Sequence, residues 1–89
     1  MNSEITRENV ETLTHGETIY NTRLANADGT PLRARVNGKV KTWKRSPERF
    51  QVPMKHGLYQ CFYLTEENRG EWTRNEQDAA MVLRSKLNQ

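Results

Sequence analysis

The sequence predicts an α+β domain with a small curled antiparallel sheet of about four or five strands, or a small open barrel, and a C-terminal amphipathic helix. Strand-forming residues fill two short segments on either side of an Asn/Asp/Gly turn, and a strongly apolar segment occurs in the second half. The C-terminal residues repeat apolar side chains at helical spacing. The chain of 89 residues has the length of one compact domain.

Apolar residues are scarce in this chain. Leu, Ile, Val and Phe together number sixteen of the 89 residues. So low an apolar content is typical of disorder only when the net charge is also high, and here the net charge is +3. We therefore expect a folded domain with a small core, which homodimerisation through a strand edge would extend.

Residues 1–16 are predicted to form an N-terminal arm that is either weakly structured or short-helical, ahead of a single domain at 17–89. Ile5, Val10 and Leu13 give this arm a thin apolar stripe. His15 and Gly16 are expected to end it.

The first hairpin is predicted from strands at 18–25 and 31–36. Ala27-Asp28-Gly29 has the composition of a three-residue loop, because Asp bonds the local backbone and Gly accepts a positive φ. That loop places three cross-strand pairs on one face: Leu24 with Leu32, Thr22 with Ala34, and Tyr20 with Val36.

A second hairpin is predicted at Asn37-Gly38. A two-residue loop would place lysines on the apolar face, whereas a three-residue loop pairs Ala34 with Val40 and keeps that face apolar. The longer loop gives a meander of strands at 18–25, 31–36 and 39–44. It also brings basic residues and one tryptophan to the opposite face, with two more basic residues directly after them: Arg33, Arg35, Lys39, Lys41 and Trp43, then Lys44 and Arg45.

The second half is predicted to contain a short helical turn, a strand and the final helix. Ser46-Pro47-Glu48 is typical of a helix start, and Pro53 interrupts the segment after it. Residues 58–64 form the most apolar run and predict a mostly buried strand. Thr73 or Asn75 is expected to cap the final helix, whose apolar side chains share one face: Ala79, Val82, Leu83 and Leu87.

Charge is distributed unevenly along the chain. Residues 31–60 carry eight basic side chains and one acidic side chain, a net charge of +7. Residues 1–30 have a net charge of −3, and residues 61–89 have a net charge of −1. The basic middle third therefore indicates a positively charged surface.

No catalytic, metal or cofactor motif is recognisable in the sequence. Two histidines and one cysteine lack metal-ligand spacing, and the five glycines are isolated from one another. Cys61 is expected to be a small buried hydrophobe, and the alternative of a Cys61 nucleophile with His56 as base lacks a recognisable oxyanion hole. The sequence therefore predicts a protein that is not an enzyme and binds no cofactor.

The basic face predicts a module that contacts an anionic partner. We expect that partner to be an acidic protein, and the alternative is a nucleic acid whose base stacks on Trp43. Alternating Lys and Arg are also what a solvent-facing strand carries for solubility alone. Trp72 is expected to lie over one end of the core, with a role as an interface anchor as the alternative.

The chain carries no apolar run long enough for a membrane span and no secretory signal after Met1. A cytoplasmic protein without a membrane partner is the expectation.

Overall fold

A computed structural model describes residues 4–57 and 60–87, which form a six-stranded antiparallel sheet with one C-terminal helix. The predicted fold class is confirmed, and the sheet does not close into a barrel. The strands and the helix, in chain order, are β1 (Thr18–Ala25), β2 (Pro31–Val36), β3 (Lys41–Trp43), β4 (Ser46–His56), β5 (Gln60–Thr65), β6 (Trp72–Thr73) and α1 (Glu76–Leu87).

The strand order is β3-β4-β2-β1-β6, with β5 also paired to β4. The predicted meander is wrong, because β2 pairs with β4 and not with β3. Arg35 lies opposite Lys55 in that ladder, and β3 pairs farther along β4, where Lys41 lies opposite Gln51. Since β2 and β3 are both antiparallel to β4, the chain continues in one direction through residues 37–40 and makes no hairpin there.

Gly38 allows the chain to run on along β4 after β2, without turning back. Its φ is +149°, and a Cβ at this position would lie 2.6 Å from Cγ of Pro53. The Asn37 N–H donates to the Pro53 carbonyl at 2.8 Å, which holds the segment against β4. The glycine thus allows a close approach to the neighbouring strand.

The first hairpin has the predicted strands but a different register. Ala25 lies opposite Pro31 near the loop, in the predicted register, whereas Ile19 lies opposite Ala34 after a shift within β1. At the shift, the buried Asn21 accepts hydrogen bonds at its Oδ1 from the N–H groups of Arg23 and Leu24, both at 2.7 Å. Leu24, predicted to face inward, is consequently 59% exposed.

Strand β4 replaces the helical turn that was predicted at Ser46-Pro47-Glu48. Phe50, Val52 and Met54 alternate along it and are each at most 1% exposed, which is the periodicity of a strand with one buried face. Pro53 lies within the strand, with its side chain on the face opposite the core.

The hydrophobic core lies on one face of the sheet and includes the N-terminal segment. Ile5, Val10 and Leu13 are buried in the same cluster as the apolar residues of β1, β2, β4 and β5. Residues 1–3 of the predicted arm lie outside the described residues. Trp72 is buried in this cluster and stacks on Phe62 at 5.4 Å between ring centroids, so its predicted place over the core is confirmed.

Helix α1 begins after Asn75, whose Oδ1 accepts hydrogen bonds from the N–H groups of Gln77 and Asp78. Asn75 is therefore the cap, and Thr73 belongs to β6. The helix packs on β1, β2 and β6 with Ala79 fully buried, whereas Val82 is 38% exposed. The side chain of Leu87 lies outside the described part of the structure. Among the described residues, no helix combines the length and apolar character needed to cross a membrane.

Candidate functional site

The face of the sheet opposite the core carries most of the predicted basic residues. Because side chains alternate along strands, the residues between the buried ones of β2, β3 and β4 share this face. We call it the outer face, and its cations and tryptophan are Arg33, Arg35, Lys41, Trp43, Arg49 and Lys55. The side chains of β2 and β3 therefore alternate between the two faces as predicted. The predicted pairing of these two strands with each other is absent from the described structure.

The first group of charges on the outer face lies where β2 and β4 meet. Arg35 and Lys55 are directly opposite each other in the ladder, and Arg33 is two residues away along β2. His56 Nδ1 lies 2.7 Å from the Arg33 carbonyl oxygen. Because a carbonyl only accepts, Nδ1 carries the proton in this contact and Nε2 is the other ring nitrogen. We call Arg33, Arg35, Lys55 and His56 the cleft cluster.

The cleft cluster lines an open cleft of about 490 Å³. Its remaining described lining is polar or small, from Thr18, Asn26, Ala34 and Gly57, and includes no carboxylate. Positive charge is therefore concentrated in a concave part of the surface, where field lines are focused.

Ion pairing leaves the outer-face cations unneutralised. Within the described chain, the ion pairs join Arg7 to Glu11, Arg23 to Glu71 and Arg74 to Glu17, and none includes a cation of the outer face. Arg33 does act on Asp28 at longer range. The pKa of Asp28 is lowered mainly by hydrogen bonds from the Thr30 hydroxyl and amide, with a smaller contribution from Arg33.

The second group on the outer face surrounds Trp43. The Arg49 guanidinium carbon lies 4.3 Å and Lys41 Nζ lies 5.1 Å from the indole ring centroid, both in cation–π geometry. Trp43 is half-buried under these side chains. We call Lys41, Trp43 and Arg49 the indole cluster. A base that stacked on this ring would have to displace a cation from it.

The carboxylate of Glu66 acts on a member of the indole cluster. Glu66 Oε2 accepts a hydrogen bond from the Phe50 N–H at 3.2 Å. Hydrogen bonds from its own N–H and from that of Phe50 lower the pKa of Glu66, and Arg49 adds a smaller electrostatic contribution. The Glu66 carboxylate therefore holds the segment that follows β5 against β4. It also partly offsets the positive charge of Arg49.

The predicted single basic patch is divided into two along β4. Lys41 lies opposite Gln51 and Arg35 opposite Lys55, so the nearest members of the two clusters are four β4 residues apart, while Arg49 is six residues from Lys55. Four residues of strand span roughly 13 Å. The remaining predicted residues lie outside both clusters: Lys39 is exposed in the 37–40 segment, and Lys44 and Arg45 are exposed in the turn between β3 and β4.

Sequence reasoning missed Arg49, Lys55 and His56 because β4, Ser46–His56, was not recognised as a strand. The signal was present in the alternation of Phe50, Val52 and Met54. Ser46-Pro47 and Pro53 obscured it, since proline is uncommon inside a sheet.

Cys61 lies on the outer face and is exposed, so the prediction of a buried cysteine is wrong. It pairs across the ladder with Lys55, on the side of β5 that faces away from the core. Cys61 and Tyr63 are exposed, while Leu64 is buried, so β5 is only half-buried. Leu58 and Tyr59 of the predicted strand lie outside the described residues.

The chain matches no protein-family model, no curated protein and no solved structure.

Proposed function

We propose that this protein is a non-enzymatic binding module that uses the outer face of its sheet to contact an acidic surface of another protein. The supporting observation is the set of outer-face cations that no described carboxylate pairs with. Fixed charges on a rigid sheet attract an oppositely charged partner and set its orientation.

The pairing of β2 with β4 indicates that the outer-face cations do more than keep the protein soluble. Arg35 and Lys55 lie directly opposite each other, and like charges in that position destabilise a sheet. Solubility alone is satisfied by separated charges. A counter-charge from a partner relieves the repulsion, so binding is favoured by the arrangement.

An acidic protein fits the indole cluster better than a stacked nucleic-acid base does. Stacking on bases supplies much of the affinity of proteins that bind single strands. Here the Trp43 ring is already occupied by Arg49 and Lys41. Carboxylates can instead bind the two cations while these stay on the ring, because the guanidinium and ammonium groups retain free N–H donors.

Fluorescence anisotropy with two labelled probes tests this proposal. The probes are a Glu-rich peptide and a mixed-sequence single-stranded oligonucleotide of equal net charge, each titrated at several salt concentrations. We expect the peptide to bind, and the Arg35→Ala/Lys41→Ala variant to weaken its binding by at least about tenfold, since close charge pairs contribute upwards of about one to two kcal/mol each.

A matched control removes two positive charges elsewhere. Arg23→Ala/Arg84→Ala changes two exposed arginines outside both clusters and should leave peptide affinity within about twofold, as expected for surface charges that make no direct contact. Equal losses of peptide affinity in the two variants would mean that only the net charge of the protein matters, which would contradict the proposal. Tighter binding of the oligonucleotide with a steeper salt dependence would identify a nucleic-acid protein instead.

A cytoplasmic location and homodimerisation through a strand edge stay predictions. Sedimentation velocity at several protein concentrations checks the dimer, and cell fractionation checks the location.

A further inference from the structure

We infer that the cleft cluster receives a phosphate monoester carried by a serine or threonine of the acidic partner. This inference rests on the proposed function and names the group that the partner presents to the cleft. It is drawn from the charge of the cleft, the donors that line it, its size and its distance from the indole cluster.

The charge of the cleft matches a dianion. Arg33, Arg35 and Lys55 contribute three positive charges to its lining, and the described lining has no acidic side chain. A single carboxylate neutralises one of these charges, whereas a phosphate monoester carries a charge of about −1.5 to −2 at neutral pH. The dianion therefore removes more of the repulsion between Arg35 and Lys55.

The donors of the cleft match phosphate oxygens. Two arginines present planar forks of N–H groups that bind phosphate in a bidentate manner, and Lys55 adds an ammonium group. His56 Nδ1 is held by the Arg33 carbonyl, so the ring orientation is fixed relative to the arginine backbone. The cleft thus offers the three phosphate oxygens N–H donors from two strands, β2 and β4.

The size of the cleft leaves room for the group that carries the phosphate. Its volume of about 490 Å³ is well above that of a phosphate ion and lies within the range of ordinary ligand sites, roughly 300–1,000 Å³. A phosphorylated side chain with part of its backbone fits such a volume.

The spacing of the two clusters favours a peptide. They are separated by four residues of β4, and an extended peptide covers the same span of roughly 13 Å in about four residues. A phosphoserine in the cleft therefore places a residue about four positions away over Lys41, the nearest cation of the indole cluster. We expect that residue to be Glu or Asp.

Three fluorescein-labelled peptides of otherwise equal sequence test the inference by anisotropy. One carries phosphoserine with glutamate both four residues before and four residues after it, the second carries serine in place of the phosphoserine, and the third carries phosphoserine with alanine in place of both glutamates. We expect the first to bind wild type at least about tenfold more tightly than the second, as one or more charge-assisted hydrogen bonds to phosphate predict. The third should bind more weakly than the first, and equal binding of these two would contradict the four-residue spacing.

Two variants, one double and one single, locate the phosphate. Arg35→Gln/Lys55→Gln should abolish the advantage of phosphoserine over serine, because both peptides then meet a cleft without those cations. Lys41→Gln should weaken the phosphoserine and serine peptides by the same factor and leave their ratio unchanged. Urea unfolding of Arg35→Gln/Lys55→Gln shows whether it is folded, and we expect it to be at least as stable as wild type because a like-charge pair has been removed.

The outcomes separate this inference from the proposed function. If the serine and phosphoserine peptides bind equally well and both depend on the outer-face cations, the phosphate site is wrong and the proposed function stands. If neither of these peptides nor the Glu-rich peptide binds at low salt, both are wrong, whereas binding of the Glu-rich peptide alone overturns only the phosphate site. If inorganic phosphate or a 5′-mononucleotide competes at the same concentration as the phosphopeptide, the cleft binds a small phosphorylated molecule and the peptide assignment is wrong.

Discussion

The Gly38→Ala substitution tests whether the close contact between Gly38 and Pro53 allows β2 and β3 both to pair with β4. The new Cβ would lie 2.6 Å from Cγ of Pro53, a distance that real Cβ contacts essentially never show. The Pro53 ring cannot rotate away, because its side chain is closed onto its own backbone. The backbone of Gly38 also has a φ of +149°, which a residue with a Cβ adopts only under strain.

The two effects of Gly38→Ala are expected to add. Forcing an extra methyl group into a packed site costs about 1–3 kcal/mol. A residue held in an unfavourable φ region costs about 1–3 kcal/mol more. We therefore expect the free energy of unfolding to fall by about 2–6 kcal/mol, a large fraction of the roughly 5–15 kcal/mol of a typical domain.

Urea unfolding measured by circular dichroism gives this loss, with two other glycines as matched controls. Gly29→Ala has a φ of +89° and nothing within 4 Å of the new Cβ, so only the backbone cost of about 1–2 kcal/mol applies. Gly70→Ala has neither a positive φ nor a close neighbour and should change stability by less than about 0.5 kcal/mol. If Gly38→Ala were no more destabilising than Gly29→Ala, the close contact with Pro53 would be refuted.

Two further predictions concern a buried amide and a surface carboxylate. Asn21→Ala should lower the free energy of unfolding by about 1–3 kcal/mol, because the N–H groups of Arg23 and Leu24 lose their acceptor. Urea unfolding measures this loss, and a value below about 0.5 kcal/mol would contradict the prediction. The pKa of Glu66 is lower in the folded protein than its ordinary value, so its stabilising contribution is present above about pH 4.5 and is lost as the pH falls through the folded value. Glu66→Gln should therefore make thermal stability fall less steeply between about pH 5 and pH 3 than in wild type, and an unchanged slope would show that the carboxylate plays no part in acid unfolding.

The local elements of the fold could be predicted from the sequence, whereas their pairing could not. β1, β2 and α1 have clear signals in β-branched residues, turn chemistry and helical periodicity, and the bounds predicted for β1 and β2 agree with the structure. Asn37-Gly38 has the composition of a hairpin, but the same dipeptide also allows a strand to pass close to a neighbour. The choice between the two depends on Pro53, which is distant from Gly38 in sequence and next to it in space.

The shift in β1 had no usable signal in the sequence. Asn21 is polar and lies among strand-forming residues, so its burial as an acceptor for two backbone N–H groups is decided by tertiary packing. Because of that shift, Ala34 lies opposite Ile19 where Thr22 was predicted, and Tyr20 lies opposite Arg33 where Val36 was predicted.

The candidate site could be predicted in composition but not in arrangement. Alternation within β2 and β3 is sufficient to place Arg33, Arg35, Lys41 and Trp43 on one face, whatever strand each pairs with. The division into a cleft cluster and an indole cluster depends on β4, which contributes Lys55 to the first and Arg49 to the second.

The central claim is that the outer face contacts an anionic partner, and a two-dimensional ¹H–¹⁵N NMR titration with a Glu-rich peptide tests it most directly. We predict that the largest shifts fall on the amides of Arg33, Arg35 and Lys55 and on the indole N–H of Trp43. Amides of the N-terminal segment, on the core side of the sheet, should not move. Shifts concentrated at Leu24 or along α1 while the outer face stays unchanged, or no shifts at low salt, would contradict the claim.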